Sequence, residues 1–127
     1  MSKAVYTVEA PAAIGPYSQA MVVGDLIFTS GQIAIDPSCG DVVAKDIEGQ
    51  TEQVCKNLAA VLAAAGATLG DAVKTVCFLQ NMEDFAAFNG VYGKYFPGKP
   101  ARSCVAVKAL PKGVLVEIEV IAERKNG

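Results

Sequence analysis

The spacing of apolar and polar residues predicts strands in the first part of the chain and then a helix. Residues 21–29 form two short apolar runs around Gly24 and Asp25, a pattern typical of two strands joined by a tight turn. Residues 30–43 are rich in turn-forming residues and predict the end of a strand followed by a loop. From residue 47 to residue 65 the apolar positions recur at helical spacing, so we expect a helix that follows Asp46 and ends at Gly66.

The second half of the chain also shows predicted strands and a predicted helix in turn. Residues 72–79 are short and β-branched, which predicts a strand. A second helix is expected over residues 82–96, with Asn81 as its cap. Residues 102–109 and 114–122 are predicted to be strands joined by a Pro-Lys-Gly turn. The buried stripe of the second helix is expected to be aromatic: Phe85, Phe88, Tyr92 and Tyr95.

This order of elements predicts an α+β fold in which both helices pack on one face of a mixed β-sheet. The other face of the sheet also looks apolar. In the strand at 72–79, Val73, Thr75 and Cys77 alternate with Val76 and Phe78. Because an apolar surface of that extent is rare on a monomer, we expect the uncovered face to pack against other copies of the chain.

Length and composition indicate one folded domain over residues 1–127, since 52% of the residues are apolar and only 19% are charged. The net charge is -2, and the 11 basic residues are scattered, so nucleic-acid binding is not expected. The N-terminus lacks the apolar core of an export signal, and no apolar run is long enough to span a bilayer. We therefore expect a soluble cytoplasmic protein that does not bind membranes.

The residue types present narrow the chemistry that the chain can perform. It has no histidine, which excludes Ser-His-Asp and Cys-His catalysis and removes the commonest zinc ligand. The four cysteines form no CxxC pair and are expected to be reduced thiols. We expect neither a metal nor a cofactor. Chemistry is left to carboxylates, arginine, lysine, tyrosine, cysteine or backbone groups.

Three charged residues stand out in the last two predicted strands. Strand alternation makes Glu117 and Glu119 point away from the helices, towards the surface expected to meet another subunit. A carboxylate there needs a partner, and Arg102, near the start of the preceding strand, is the obvious cation of this region, so we expect it on the same face. One interpretation is a structural salt bridge at an interface. The other is a pocket in which Arg102 binds a small carboxylate through two hydrogen bonds and Glu117 acts as acid or base.

Four stretches of the chain resemble the RidA/YjgF family of enamine and imine deaminases. They are APAAIGPYSQA at 10–20, SGQIAID at 30–36, PARSCV at 100–105 and LPKGVLVEIEVIA at 110–122. They occur in the family's order and cover essentially the whole chain. The resemblance implies a chorismate-mutase-like α+β fold that assembles as a homotrimer, with pockets in the clefts between subunits.

The resemblance also implies a reaction that needs no cofactor. Family members hydrolyse 2-aminoacrylate and 2-aminocrotonate, through 2-iminopropanoate and 2-iminobutanoate, to 2-oxo acids and ammonia. Pyridoxal-phosphate enzymes release these small-molecule substrates. By motif, Arg102 matches the residue that grips the substrate carboxylate, and Glu117, rather than Glu119, matches the residue that activates water.

The remaining pocket positions follow from the same motifs. Cys104 is expected to contribute backbone groups to the pocket, and Asn89 is expected to lie near the neighbouring subunit. In one place the chain departs from the family pattern: the stretch at 96–103 is slightly shorter than in many relatives, which would alter the pocket mouth. The positions implied to bind substrate besides Arg102 are Tyr17, Ser30, Gly31, Asn89 and Cys104.

A second function stays open from the sequence. A non-enzymatic module that binds a small carboxylate, and so regulates translation or metabolism, could use the same Arg102. Such a module has no need of a carboxylate beside its anion site, so Glu117 favours the enzyme.

Overall fold

A computed structural model describes residues 1–125 of the chain. Short 3₁₀ turns at Leu69–Asp71, Met82–Asp84 and Pro111–Gly113 connect some of its strands and helices. In chain order the strands and helices are β1 (Ser2–Val5), β2 (Ala20–Val23), β3 (Leu26–Thr29), β4 (Ile35–Asp36), β5 (Asp41–Val42), α1 (Ile47–Ala64), β6 (Ala72–Leu79), α2 (Phe85–Tyr95), β7 (Ala101–Ala106) and β8 (Val116–Glu123).

Six strands form one mixed sheet in the order β1-β2-β3-β8-β6-β7. β6 and β7 are parallel, and the other neighbouring pairs are antiparallel. β4 and β5 form a separate two-stranded hairpin in the segment expected to be a loop. Its turn begins at Asp36, whose Oδ1 accepts from the Ser38 N–H at 2.9 Å. The sequence missed this hairpin because each of its strands is only two residues long.

Both helices lie on one face of the sheet, as the sequence predicts. Asp46 caps α1 by accepting from the Gly49 N–H at 2.8 Å, and Asn81 accepts from the Glu83 N–H at 2.9 Å. The second helix starts later than expected, because residues 82–84 form a 3₁₀ turn. Its aromatic stripe is also narrower than expected, since Phe88 and Tyr92 are buried whereas the other two rings are only half-buried.

The alternation predicted for the last strand is confirmed. Val116, Ile118 and Val120 are buried under the helices, whereas Glu117 and Glu119 lie on the uncovered face. That face also exposes apolar side chains: Leu26, Phe28, Val105 and, half-buried, Val76, Phe78 and Ile121. In β6 a register shift between Ala72 and Lys74 removes Val73 from the expected alternation and leaves it exposed.

β7 and β8 are not neighbours, because β6 lies between them and pairs with both. α2 carries the chain from β6 to a parallel β7, and the register aligns Arg102 with the buried Thr75. Glu117 is aligned with Phe78, which is on the uncovered face. Arg102 therefore points to the helix side, and the expectation that it shares a face with Glu117 is wrong within one chain.

None of the helices in residues 1–125 has the length and apolar character needed to cross a membrane.

Candidate functional site

A cleft of about 390 Å³ lies beside Glu117 and will be called the Glu117 cleft. Four of the residues that the sequence selects line it together: Tyr17, Ser30, Gly31 and Glu117. The rest of the lining is mostly apolar: Pro11, Ala12, Ile14, Gln32, Ile33, Ile35, Pro111 and Lys112. Motifs that are far apart in the sequence thus meet at one site.

The backbone beside Glu117 bulges where β3 ends. Residues 29–31 lie opposite only residues 119 and 120, because Phe28 pairs with Ile121 and Gln32 pairs with Ile118. The bulge brings Gly31 under the Glu117 side chain. A Cβ at Gly31 would overlap the carboxylate, lying 2.9 Å from Glu117 Cδ and 3.1 Å from Cγ. Any side chain at this position would force the Glu117 carboxylate to move, so glycine leaves the carboxylate its place in the cleft.

The Glu117 carboxylate has neither a hydrogen-bond donor nor a cation beside it among residues 1–125. Desolvation raises its pKa, and the charge of Glu119 on the same strand face raises it further. The ion pair that does form in the described chain joins Lys125 Nζ to Asp71 Oδ1 at 3.6 Å. A half-buried carboxylate without a partner and with a raised pKa is more typical of a functional group than of a structural one.

Arg102 lies in a second site on the helix side of the sheet. Its Nη1 donates to Asn89 Oδ1 at 2.7 Å. Its guanidinium carbon lies 4.8 Å from the Tyr92 ring centroid and 5.5 Å from that of Phe85. Tyr92 is held in turn, because its hydroxyl is 2.7 Å from Thr75 Oγ1.

This arrangement leaves one side of the guanidinium available. Nε and Nη2 of Arg102 have no partner in the described part of the chain, and two parallel N–H groups can bind a carboxylate in a bidentate manner. The adjoining groove has a volume of about 450 Å³. It is lined by Tyr92, Gly93, Phe96, Pro97, Lys99, Pro100 and Arg102, and we call it the Arg102 groove. Residues 96–103, which include the start of β7, supply most of this lining.

Cys104 accompanies Arg102 rather than Glu117. It lies two residues further along β7 on the same face and is aligned with Cys77 of β6. Burial raises the pKa of the Cys104 thiol, although the Arg102 charge opposes this shift. The thiol is therefore not activated as a nucleophile, in keeping with a role for its backbone.

Ser30 uses its hydroxyl within the protein. Ser30 Oγ donates to the Ser18 carbonyl at 2.6 Å, and the Ser30 N–H donates to the Gln19 carbonyl at 2.9 Å. The side chain thus ties the segment that carries Tyr17 to the end of β3. Tyr17 itself is half-exposed at the cleft, with 51% of its surface accessible.

The structure adds cleft residues that the sequence did not select. Ile14, Ile33 and Ile35 form apolar walls, and the exposed Lys112 also lines the cleft. Lys112 has a φ of 56°, unusual for a residue with a side chain. The sequence did contain a signal for the place of Lys112 in the cleft, because the Pro-Lys-Gly turn belongs to the stretch at 110–122 that resembles the family.

A larger groove of about 720 Å³ lies at the other end of the sheet, along β1. It contains none of the predicted site residues. Arg124 in its wall donates to the Ala65 carbonyl at 3.3 Å and to the Gly24 carbonyl at 3.1 Å, which links the end of α1 to the β2–β3 turn. These contacts give Arg124 a structural role.

Comparison with known proteins identifies the family. A family model described as "Endoribonuclease L-PSP" matches residues 7–124. The chain is 52% identical to "Putative regulator AldR" of Lactococcus lactis, over 98% of this chain and 99% of that protein. It is 47% identical to "2-iminobutanoate/2-iminopropanoate deaminase" of Salmonella typhimurium, over 98% of this chain and 100% of that protein.

Solved structures agree with this assignment. The crystal structure of the YjgF gene product from Escherichia coli matches with a TM-score of 0.92 and 46% identity, covering 97% of this chain and 99% of that one. Both the sequence and the fold therefore match over nearly their full lengths. The chain belongs to the RidA/YjgF family, which the endoribonuclease L-PSP model describes.

Proposed function

We propose that the chain hydrolyses small 2-imino acids to 2-oxo acids and ammonia, with Arg102 binding the substrate carboxylate and Glu117 activating water. The observation that carries this proposal is the Glu117 carboxylate over Gly31, which has no partner within residues 1–125 and lies in a cleft whose walls are largely apolar. A site that only binds an anion gains nothing from a second negative charge. The deaminase name of relatives at 47% identity supports the reaction class.

The two proposed catalytic residues cannot reach one substrate within a single chain. The strand registers separate Arg102 from Glu117 by three residues along β6 and by two strand spacings, or about 10 Å in each direction. They also lie on opposite faces of the sheet. We therefore propose that the Glu117 cleft of one copy and the Arg102 groove of the next form one pocket in a homotrimer.

A closed ring accommodates this arrangement. In a ring, each subunit presents one surface to one neighbour and a different surface to the other, so three copies give three equivalent pockets. The apolar side chains on the uncovered face, among them Phe28 and Val105, favour such contacts because they are too exposed for a monomer's core.

The reaction can be written with these residues alone. Glu117 takes a proton from water, and the oxygen bonds to C2 of the imino acid while the C=N electron pair moves to nitrogen, which gains a proton from a solvent water. In the resulting carbinolamine the C–N bond breaks after Glu117 returns its proton to nitrogen. Ammonia leaves, the hydroxyl proton returns to the carboxylate or to water, and a 2-oxo acid remains.

Geometry and electrostatics both assist this reaction. The bidentate grip of Arg102 fixes the substrate carboxylate, so the imine carbon is presented to the water in one orientation. Burial and the charge of Glu119 raise the pKa of Glu117, which makes it a stronger base than an ordinary glutamate. Such unstable substrates arise from pyridoxal-phosphate enzymes, so we place the activity beside those enzymes in the cytoplasm.

A carboxylate-binding regulator is the second candidate, and the relative named "Putative regulator AldR" favours it. It would use Arg102 in the same way but would show no turnover. Glu117→Gln separates the two functions. An enzyme loses catalysis while it keeps its affinity for 2-oxobutanoate, whereas a regulator has no catalysis to lose.

The first prediction concerns the carboxylate grip. Arg102→Lys should lower kcat/KM for imine hydrolysis by roughly 10- to 150-fold, because it removes one charge-assisted hydrogen bond worth about 1.5–3 kcal/mol. Ammonia release would be measured while a threonine dehydratase generates the imine. Arg124→Lys, which alters an arginine away from both sites, should retain activity. Wild-type activity of Arg102→Lys would remove Arg102 from the mechanism.

The second prediction separates a catalytic Glu117 from a structural salt bridge. Since the folded protein raises the pKa of Glu117, the ionised carboxylate costs stability at neutral pH, and this cost disappears as the pH falls below the ordinary glutamate pKa. Glu117→Gln should therefore raise the free energy of unfolding at pH 7 by up to about 1 kcal/mol after solvent screening, and leave it unchanged near pH 3. Turnover should nevertheless be lost.

Chemical denaturation at both pH values measures this change, with Glu119→Gln as the matched control. The control relieves the same repulsion and should keep turnover at neutral pH. Loss of stability in Glu117→Gln at pH 7 would support the structural salt bridge instead.

The third prediction concerns pH dependence. The charge of Glu119 contributes to the raised pKa of Glu117, so Glu119→Gln should lower that pKa. Because the base must be ionised, the acid limb of the kcat/KM profile should move to lower pH. A limb that stays in place, or moves to higher pH, would show that Glu117 is not the group that titrates.

A further inference from the structure

The walls of the Glu117 cleft are built from irregular backbone. One wall belongs to the segment at 6–19, between β1 and β2, which we call the strap. A second wall is formed by residues 30–35 after β3, and a third by the turn that precedes β8. Ile14 of the strap is 77% exposed, so its own side chain does not anchor it. Something other than strand pairing must fix these walls.

Gln19 fixes the strap. Its side chain is only 1% exposed, and both ends of its amide bond to strap backbone. Oε1 accepts from the Thr7 N–H at 2.7 Å, while Nε2 donates to the Thr7 carbonyl at 3.0 Å and to the Pro11 carbonyl at 2.8 Å. A fourth, longer contact joins Nε2 to the Ala10 carbonyl at 3.4 Å. One buried amide thus closes the strap onto β2.

Two amides of α1 act in the same way on the other walls. Asn57 Nδ2 donates to the Ile33 carbonyl at 3.1 Å and to the Ile35 carbonyl at 2.9 Å. Gln50 Oε1 accepts from the Leu115 N–H at 2.8 Å, two residues before Glu117. Asn57 and Gln50 are 1% and 5% exposed.

Amides on the buried face of a helix need an explanation, because an apolar residue there would be desolvated at less cost. Each of these amides bonds to backbone groups of a cleft wall that lie outside the strands of the six-stranded sheet. Within residues 1–125, three of the six buried polar residues therefore serve the same site: Gln19, Gln50 and Asn57.

We propose that Gln19, Gln50 and Asn57 are positioning residues that set which side chain of the imino acid fits against Glu117. This inference rests on the proposed function. Gln19 and Asn57 hold the two apolar walls, which carry Ile14 on one side and Ile33 and Ile35 on the other. The separation of these walls decides the fit of an alkyl group. The expected substrates are 2-imino acids with apolar side chains.

The test replaces Gln19 by methionine, which has a similar shape but can make none of the four hydrogen bonds. We expect KM to rise, and the ratio of kcat/KM between 2-iminobutanoate and 2-iminopropanoate to change by several-fold towards equality. A fitted apolar pocket distinguishes one methylene by on the order of tenfold, and a loose wall loses that discrimination. Gln19→Asn, which shortens the amide by one methylene, serves as the milder variant if the first fails to fold.

Thr51→Val is the matched control. Thr51 is fully buried and its hydroxyl donates to the Ile47 carbonyl at 2.7 Å within α1, so the variant loses a buried hydrogen bond without touching a cleft wall. Mere loss of folded protein lowers kcat equally for both imines and leaves KM and the ratio unchanged. A Gln19 variant that behaves like Thr51→Val would overturn the proposal.

Hydrogen exchange keeps this test independent of the proposed reaction. In Gln19→Met the amide of Thr7 and its neighbours in the strap should exchange faster, whereas α1 should exchange as in the wild type. If the wild-type protein hydrolyses no imine, the proposed function fails by itself. If hydrogen exchange in the strap of Gln19→Met is also unchanged, the proposal that Gln19 holds the strap is rejected as well.

Discussion

The Glu117 carboxylate lies over the backbone of Gly31, desolvated on one side and repelled by Glu119 on the other. This is an unfavourable position for a charge in a chain with few charged residues. Gly31, in the bulge at residues 29–31, has no side chain and so leaves room for the carboxylate. Buried amides hold the surrounding backbone in place. Such a position is more typical of a functional carboxylate than of a structural one, in keeping with the proposed role of Glu117 as a base.

Arg102 complements this position from the other side of the sheet. Its charge is held by Asn89 and the face of Tyr92, so its orientation is fixed before any anion arrives. Within residues 1–125 Glu117 has no cation beside it and Arg102 has no anion beside it, and the two lie on opposite faces of the sheet. In our proposal assembly of copies brings the two together, which makes subunit association a condition of the proposed chemistry.

Local pattern was sufficient to predict most of the elements and part of the site. The periodicity of α1 and the alternation in β8 are properties of neighbouring residues, and both were predicted correctly. Strand order is not a local property. The sequence placed β7 and β8 together because they are consecutive, but α2 returns the chain so that β6 separates them. The face of Arg102 follows from that pairing, so it could not be predicted.

The buried amides show a second limit of the sequence. Gln19 lies in a motif that resembles the family, yet nothing in its neighbourhood indicates that its side chain closes a loop 12 residues away. Gln50 and Asn57 read as ordinary polar positions of an amphipathic helix. Their partners belong to distant segments, at 115 and at 33 and 35, and only the folded chain brings them together.

Subunit mixing tests the central claim, that Arg102 and Glu117 of different copies form one site. Arg102→Ala and Glu117→Gln subunits, each inactive alone, would be co-refolded in equal amounts and imine hydrolysis measured. In randomly mixed trimers one pocket in four combines an intact Arg102 with an intact Glu117, so about a quarter of the wild-type activity should return. Mixed assemblies that stay as inactive as the separate variants would contradict the account.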